Sequence, residues 1–358
     1  MKHNRIILFV ALLVTGMVSC TKDKDDTQAP RVTTGVYVLS EGLFGLNNSM
    51  ITYYNTSTGV SSTDFFAKAN SGTGLGDTGN DLLIYGGKMY VVVHGSSVLT
   101  IADKITGQKI KNIDFVMAGG AVSQPRYVVG YKNKVLVDAY DGTVAVIDTA
   151  SLTIEKRITV GPNPEQMVVL GDKLYVANSG GLRTIKDSTI SVINLSSMTE
   201  VQKIKTGVSP SFMTADESGN LYVICSGDYL TNLKPKLAKI STSTNTMVKL
   251  ADTITGRIQY YNGALYATGG YYGSQYVRKL STTDFSQQSP NFITDGTQGQ
   301  ITMPYGINVD PENGDVWITD SKDYVVSGEV FCYDKNGKKK FSFSTTPAAN
   351  PSTVVFIK

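Results

Sequence analysis

Short apolar stretches separated by polar turns recur along most of the chain, and they recur with a period. Segments beginning Gln124-Pro125, Asn163-Pro164, Ser209-Pro210, Met303-Pro304 and Asn350-Pro351 share one form. A polar or large residue precedes proline, two or three variable residues follow, and an apolar run comes next. The proline spacings are 39, 46, 94 and 47. The longest gap spans two units, and Gly256-Arg257-Ile258 occupies its middle without a proline. Asn80-Asp81-Leu82 starts the series. Each unit continues through a turn such as Gly171-Asp172-Lys173 or Asn313-Gly314-Asp315 into a strand, often of the form Leu-Tyr-Val. Such turns are hairpin signals, and apolar runs between them read as strands. A third strand follows a variable loop, at Thr143–Asp148, Thr189–Asn194, Leu237–Ser241, Tyr276–Ser281 and Gly328–Asp334. A fourth closes the unit, as at Glu155–Val160 and Val201–Lys205.

Four strands in about 45 residues, repeated around an axis, predict the blades of a propeller. Inner strands starting near Asn80, Pro125, Pro164, Pro210, Arg257, Pro304 and Pro351 make seven. Residues 351–358 hold an inner strand alone, while residues 35–66 hold the other three, Val36–Ser40, Ser49–Tyr54 and Ser61–Phe66. The expectation is an all-β, seven-bladed propeller over residues 35–358, with four antiparallel strands per blade. The C-terminal strand should complete the first blade. Such closure removes free sheet edges. A proline at the first residue of a strand forfeits no ladder bond.

The start of the chain breaks the pattern. Lys2 and Arg5 precede an apolar run, Ile6–Val14, that is too short to cross a bilayer as a helix. Gly16-Met17-Val18-Ser19-Cys20 follows and resembles a bacterial lipobox. The resemblance implies a signal peptide over 1–19, cleavage before Cys20 and lipidation of its thiol. Residues 20–34 read as a charged, flexible tether. Its acidic stretch resembles the surface-export signal of Bacteroidetes lipoproteins, which implies an outer-membrane anchor facing the cell exterior.

Composition narrows the chemistry. The formal net charge is +3, of which Lys2 and Arg5 supply two, so nothing points to nucleic acid. Cys225 and Cys332 fall in non-adjacent units and read as free buried thiols. His94 is the one histidine beyond the leader, which excludes a multi-histidine metal site and any triad built on another histidine. Gly72–Gly76 lacks phosphate-loop spacing. Asp310–Asp315 sits at a hairpin and reads as a turn, not a calcium loop. A single tryptophan, Trp317, excludes a tryptophan-dense quinoprotein propeller. No catalytic residue, metal ligand or catalytic cofactor is assigned, and the chain reads as a binding protein, not an enzyme.

In a propeller the inner strands all start at one face, and the loops between second and third strands return to it. Those positions line a shared bowl. Tyr37, Tyr90, Tyr175, Tyr222 and Tyr266 share one repeat position and read as packing between blades. Other aromatics break the repeat. Phe44, Tyr140, Tyr229, Tyr271, Tyr272 and Tyr324 lie in the loops, and Tyr305 follows an inner-strand proline. These are candidate contacts to a bulky, partly apolar ligand. Asn80, His94, Arg126, Glu165, Asn178, Arg183 and Asp320 are polar candidates on the same rim, with Asn47, Asn48, Lys322 and Asp323 beside them.

Tyr175-Val-Ala-Asn-Ser, Ile190-Ser-Val-Ile-Asn and Val144-Ala-Val-Ile-Asp resemble the YncE-like propellers. The stretches from Val36 to Ser49 and from Pro304 to Tyr324 resemble the Bacteroidetes surface lipoproteins of the BtuG type. That resemblance implies capture of cobalamin or a related corrinoid and its transfer to a TonB-dependent outer-membrane transporter. Aromatic platforms also suit a carbohydrate or a protein partner. A third reading is a calcium-dependent lactonase-type hydrolase, with Asp320, Glu165, Asn178 and Asn80 as oxygen ligands.

Overall fold

A computed structural model describes residues 32–117, 119–252, 256–270, 275–289 and 291–358. The expected signal peptide and tether before Val32, with Cys20, and both Tyr271 and Tyr272 lie outside the described residues. The rest is a seven-bladed propeller of antiparallel sheets. From the axis outward, blade 1 is Pro351–Ile357, Gly35–Ser40, Met50–Asn55 and Val60–Ser62. Blade 2 is Gly79–Tyr85, Lys88–Val93, Val98–Asp103 and Lys109–Asp114. Blade 3 is Pro125–Tyr131, Lys134–Ala139, Thr143–Asp148 and Ile154–Thr159. Blade 4 is Pro164–Leu170, Lys173–Asn178, Thr189–Asn194 and Thr199–Lys205. Blade 5 is Pro210–Ala215, Asn220–Cys225, Lys236–Ser241 and Thr246–Asp252. Blade 6 is Ile258–Tyr261, Ala264–Gly269 and Tyr276–Ser281. Blade 7 is Pro304–Val309, Val316–Asp320, Ser327–Tyr333 and Lys339–Ala349. Each inner strand packs on the next, and the ring closes where blade 1 meets blade 2. The C-terminal strand completes blade 1 as the sequence predicts, pairing Val354 with Val38 and Ile357 with Gly35.

Two details depart from the expected pattern. The stretch Ser61–Phe66 is a strand only to Ser62. Asp64 then accepts the Ala67 N–H and starts a short helix, Phe65–Ala69, which turns Phe65 onto Tyr37 and Tyr53. Among the described residues blade 6 carries an irregular outer edge and no fourth strand. Leu280 bridges Gln287, and Phe292 N–H donates to the Val277 carbonyl at 2.9 Å.

The prolines mark a shared turn. The residue before the inner strand is left-handed at Thr78, Gln124, Asn163, Ser209 and Asn350, with φ between 45° and 57°. Asn163 and Asn350 take this conformation at modest cost, and the β-branched Thr78 at a higher one. Its carbonyl accepts the N–H of the residue just after the second strand, as in Tyr140 to Gln124 (3.1 Å) and Glu41 to Asn350 (2.9 Å). A register irregularity follows at once in blades 1, 2, 3, 4, 5 and 7. The N–H freed by such a bulge needs a partner. Asp138 supplies one to Tyr127 at 2.6 Å, and Thr319 supplies one to Gly306 at 2.7 Å.

Between blades, Tyr37, Tyr90, Tyr175, Tyr222 and Tyr266 are buried as the repeat predicts. Trp317 fills the same position in blade 7, edge-on to Tyr54, Phe341 and Phe356. Cys225 and Cys332 are free and buried.

Candidate functional site

The turn just described presents two repeat positions to one face of the disc, called here the upper face. One is the second residue of the inner strand: Asn80, Arg126, Glu165, Ser211, Tyr305 and Ser352. The other is the residue after the second strand: Glu41, His94, Tyr140, Ser179, Ser226 and Ser321. Of these, Glu41, Asn80, His94, Arg126, Tyr140, Glu165 and Tyr305 build a polar floor around the channel mouth, while Ser179, Ser321 and Ser352 are buried.

The floor holds two arginine–glutamate–tyrosine groups. In the first, Arg126 Nε and Nη2 donate to Glu165 Oε2 at 3.2 and 2.9 Å. Its Nη1 donates to Asn80 Oδ1 at 2.5 Å, and Asn80 Nδ2 returns a bond to the Arg126 carbonyl. Tyr140 donates its hydroxyl to Glu165 Oε1 at 2.6 Å while its ring lies under the guanidinium. His94 meets the edge of that ring, with Nδ1 3.2 Å from the Pro125 carbonyl. In the second group, Arg257 Nη2 stands 3.5 Å from Glu41 Oε1. Tyr305 donates to Glu41 Oε2 at 3.0 Å and its ring faces the guanidinium. Below the mouth is a cavity of about 240 Å³, whose lining includes Asp81, Tyr127, Gln166, Phe212 and Arg257.

Burial sets the protonation of this floor. It pushes His94 down to about 4, helped by the Arg126 charge. It pushes Asp81 up to about 6, against two backbone N–H bonds and both arginines. Burial also raises Glu41, opposed by Arg257 and the Tyr305 hydroxyl. The His94 and Asp81 shifts act oppositely on stability. Between pH 6.5 and about 4 the unfolded chain protonates His94 first, so acidification costs stability. Between about 6 and 3.8 the folded chain protonates Asp81 first, so acidification adds stability. Relative to wild type, His94→Gln should gain stability as pH falls through its window and Asp81→Asn should lose it. Urea unfolding across the two windows tests this, and flat difference curves for both variants would refute it.

Above the floor the loops form an apolar rim. Exposed large apolar side chains gather there from five directions: Phe44 and Leu46 in blade 1, Val116, Met117 and Val122 between blades 2 and 3, Leu182 and Ile185 in blade 4, Tyr229, Leu230 and Leu233 in blade 5, and Tyr324, Val325 and Val326 in blade 7. Phe44 is 82% exposed, Ile185 84% and Tyr229 97%. Thirteen of the 21 exposed large apolar side chains among the described residues lie on these loops, which makes this face a candidate interaction surface. The Phe44 loop is held in shape by Gly45 N–H bonds to both Asp77 oxygens at 3.0 Å and by Asn48, which accepts the Leu43 N–H.

The candidates from the sequence therefore divide. Asn80, His94, Arg126, Tyr140, Glu165 and Tyr305 meet on the floor. Phe44, Tyr229, Tyr324 and the exposed Arg183 stand on the rim with Asn47. Asn178 and Asp320 are corrections: both are 0% exposed and serve the fold. Asn178 accepts the Gly161 N–H and donates to Thr189 and Ser191. Asp320 accepts N–H bonds from Thr302, Met303 and Lys322. Each is the last residue of a second strand, one position short of the floor, and turns inward. Asp323 likewise accepts from Val325 and Val326, and Lys322 pairs with Glu329. The oxygen set of a lactonase-type site is thus not assembled: Asn178 and Asp320 are engaged elsewhere, and Glu165 and Asn80 surround a guanidinium. Glu41 and Arg257 belong to the floor without having been singled out as candidates.

No curated protein matches the chain. Among solved structures it is similar to a quinonprotein alcohol dehydrogenase-like protein of Bacteroides thetaiotaomicron, with 16% identity over 90% of this chain and 78% of that one, and a TM-score of 0.64. It is similar to a candidate 6-phosphogluconolactonase of Bacteroides fragilis, with 12% identity over 94% and 100% of the two chains, and a TM-score of 0.62. It is also similar to the dihydro-heme d1 dehydrogenase NirN, with 12% identity over 92% and 77%, and a TM-score of 0.57. At these identities the likeness is one of fold. Residues 34–357 match the family described as a domain of unknown function, DUF5074, and the chain belongs to that family.

Proposed function

We propose that the protein is a non-catalytic capture propeller, tethered through Cys20 to the outer face of the outer membrane. Its upper face takes a broad amphiphilic molecule, a corrinoid such as cobalamin, and yields it to a TonB-dependent transporter. The observation that carries this reading is the apolar rim over a polar, preorganised floor. A corrinoid is a wide disc fringed by amides with a nucleotide tail, and a shallow bowl offers its faces and edges more contact than a deep pocket. Affinity in such a bowl comes from many contacts on rigid blades. The chain's course favours the same orientation. Thr34 N–H donates to the Ile357 carbonyl at 2.8 Å, so the first described residues enter the propeller on the face opposite the bowl.

Calorimetric titration of the unlipidated protein with cyanocobalamin, with and without calcium, is the test. Heat with a saturating isotherm is expected in both conditions. The triple variant Phe44→Ala/Tyr229→Ala/Tyr324→Ala should keep its fold, since all three side chains are exposed, and bind about tenfold or more weakly. Absence of heat would refute the corrinoid reading, and calcium-dependent lactone turnover would favour the hydrolase.

A further inference from the structure

The two floor arginines are equally exposed, each with 18% of its side chain accessible, yet they are engaged very differently. Arg126 has all three guanidinium nitrogens bonded to Glu165 and Asn80. Among the described residues the Arg257 guanidinium makes one hydrogen bond, a long one from Nη1 to the Ser352 carbonyl at 3.3 Å. Its carboxylate neighbour, Glu41, is at 3.5 Å, against 2.9 Å for the Arg126–Glu165 pair. A guanidinium carries five N–H donors in a rigid plane. The Phe212 and Tyr305 rings lie 4.8 and 5.1 Å from the Arg257 carbon and limit how that plane can turn. The same side chain lines the channel cavity, so there is space beside it.

We propose that Arg257 is the anion anchor of the bowl: an oxyanion of the ligand, carboxylate or phosphate, enters the channel mouth and accepts its unengaged N–H donors. Planar, bidentate recognition of an oxyanion is what this side chain does best. Glu41 is the competitor that the anion displaces, and the Tyr305 hydroxyl retains it. Arg126 cannot serve in the same way without giving up three bonds. The inference rests on the upper face being the ligand face, and it does not need the ligand to be a corrinoid.

Phenyl phosphate, benzoate and neutral benzyl alcohol, titrated into the full chain, test it through the Nε–Hε resonance of Arg257. That resonance should move with one or both anions and stay still with the alcohol. A response to phenyl phosphate alone assigns a phosphate ligand, and one to benzoate alone a carboxylate. Arg257→Gln should weaken anion binding about tenfold or more. Glu41→Gln, which removes the competitor, should strengthen it, so a folding defect in the first variant leaves the second decisive. Anion binding unchanged in Arg257→Gln, weaker binding in Glu41→Gln, or an equal response to the alcohol would overturn the proposal. The corrinoid reading fails separately: no cyanocobalamin binding with anion binding intact removes that reading and leaves Arg257 as the anchor.

Discussion

Deletion of Pro351–Lys358 is expected to abolish cooperative folding. The segment is the inner strand of blade 1, and Gly35–Ser40 is hydrogen-bonded to it on one side and to Met50–Asn55 on the other. Removing it leaves a central strand as an open edge, the situation in which sheets pair with other chains. It also breaks the ring, because the same strand packs on the inner strands of blades 7 and 2. Val354 is buried and its N–H donates to Asn308 at 3.1 Å. Phe356 meets Trp317 edge-on at 6.0 Å. Full burial of one large apolar side chain contributes about 1.5–3 kcal/mol, and a domain holds about 5–15 kcal/mol in all. Loss of Val354 and Phe356, of Val355 and Ile357 beside them, and of the ladder they carry is therefore comparable with the whole stability. The truncated protein should lose its sigmoidal urea transition and elute as aggregate. A peptide of residues 350–358 added in excess should restore part of the transition by binding the folded state. A truncated protein that unfolds at the wild-type urea midpoint would show that closure carries no stability.

The closure and the floor were both legible in the chain for one reason: the residue before each inner strand is a punctuation mark. Gln124-Pro125 and Asn163-Pro164 announce the turn, and the turn fixes which side chains reach the upper face. Arg126, Glu165 and Asn80 follow from counting one residue onward, as do His94 and Tyr140 from the end of the second strand. Where the mark is missing the count slips. Blade 6 has no proline, and Arg257 lies one residue deeper than Arg126 in its own blade, so its equivalence was hidden. Glu41 was hidden differently. It belongs to a blade whose inner strand is at the other end of the chain, and its partner Arg257 reaches it from blade 6 past blade 7, which no local pattern records. The same one-residue sensitivity misplaced Asn178 and Asp320. At the end of a strand a shift of one position turns a side chain from the bowl to the interior. The interior accepts polar groups there because the turn leaves N–H groups to satisfy. The helix at Phe65–Ala69 follows from Asp64, a capping residue that an apolar reading of Phe65-Phe66 passes over.

Arg126→Met is expected to be among the most destabilising single changes on the floor, and the double variant Arg126→Met/Glu165→Leu to recover most of the loss. Only 11% of the Glu165 side chain is exposed, and with Arg126 gone its carboxylate keeps the Tyr140 hydroxyl alone. Breaking a buried ion pair from one side costs about 3–5 kcal/mol because it strands the other charge, whereas replacing both partners with apolar groups is often close to neutral. Asn80 would also lose the Nη1 bond to its side-chain oxygen. Urea midpoints of the two singles and the double close the cycle and isolate the pair. An independent signature separates charge from packing. His94 is held down to about 4 by burial first and by the Arg126 charge second. In Arg126→Met its imidazole should titrate at higher pH while remaining below the usual value of 6.5, since burial persists. Proton-detected titration of the His94 ring reads this directly. A double variant as unstable as Arg126→Met, with His94 unmoved in both, would mean that the floor is held by shape and that the Arg126–Glu165 pair contributes no net attraction to it.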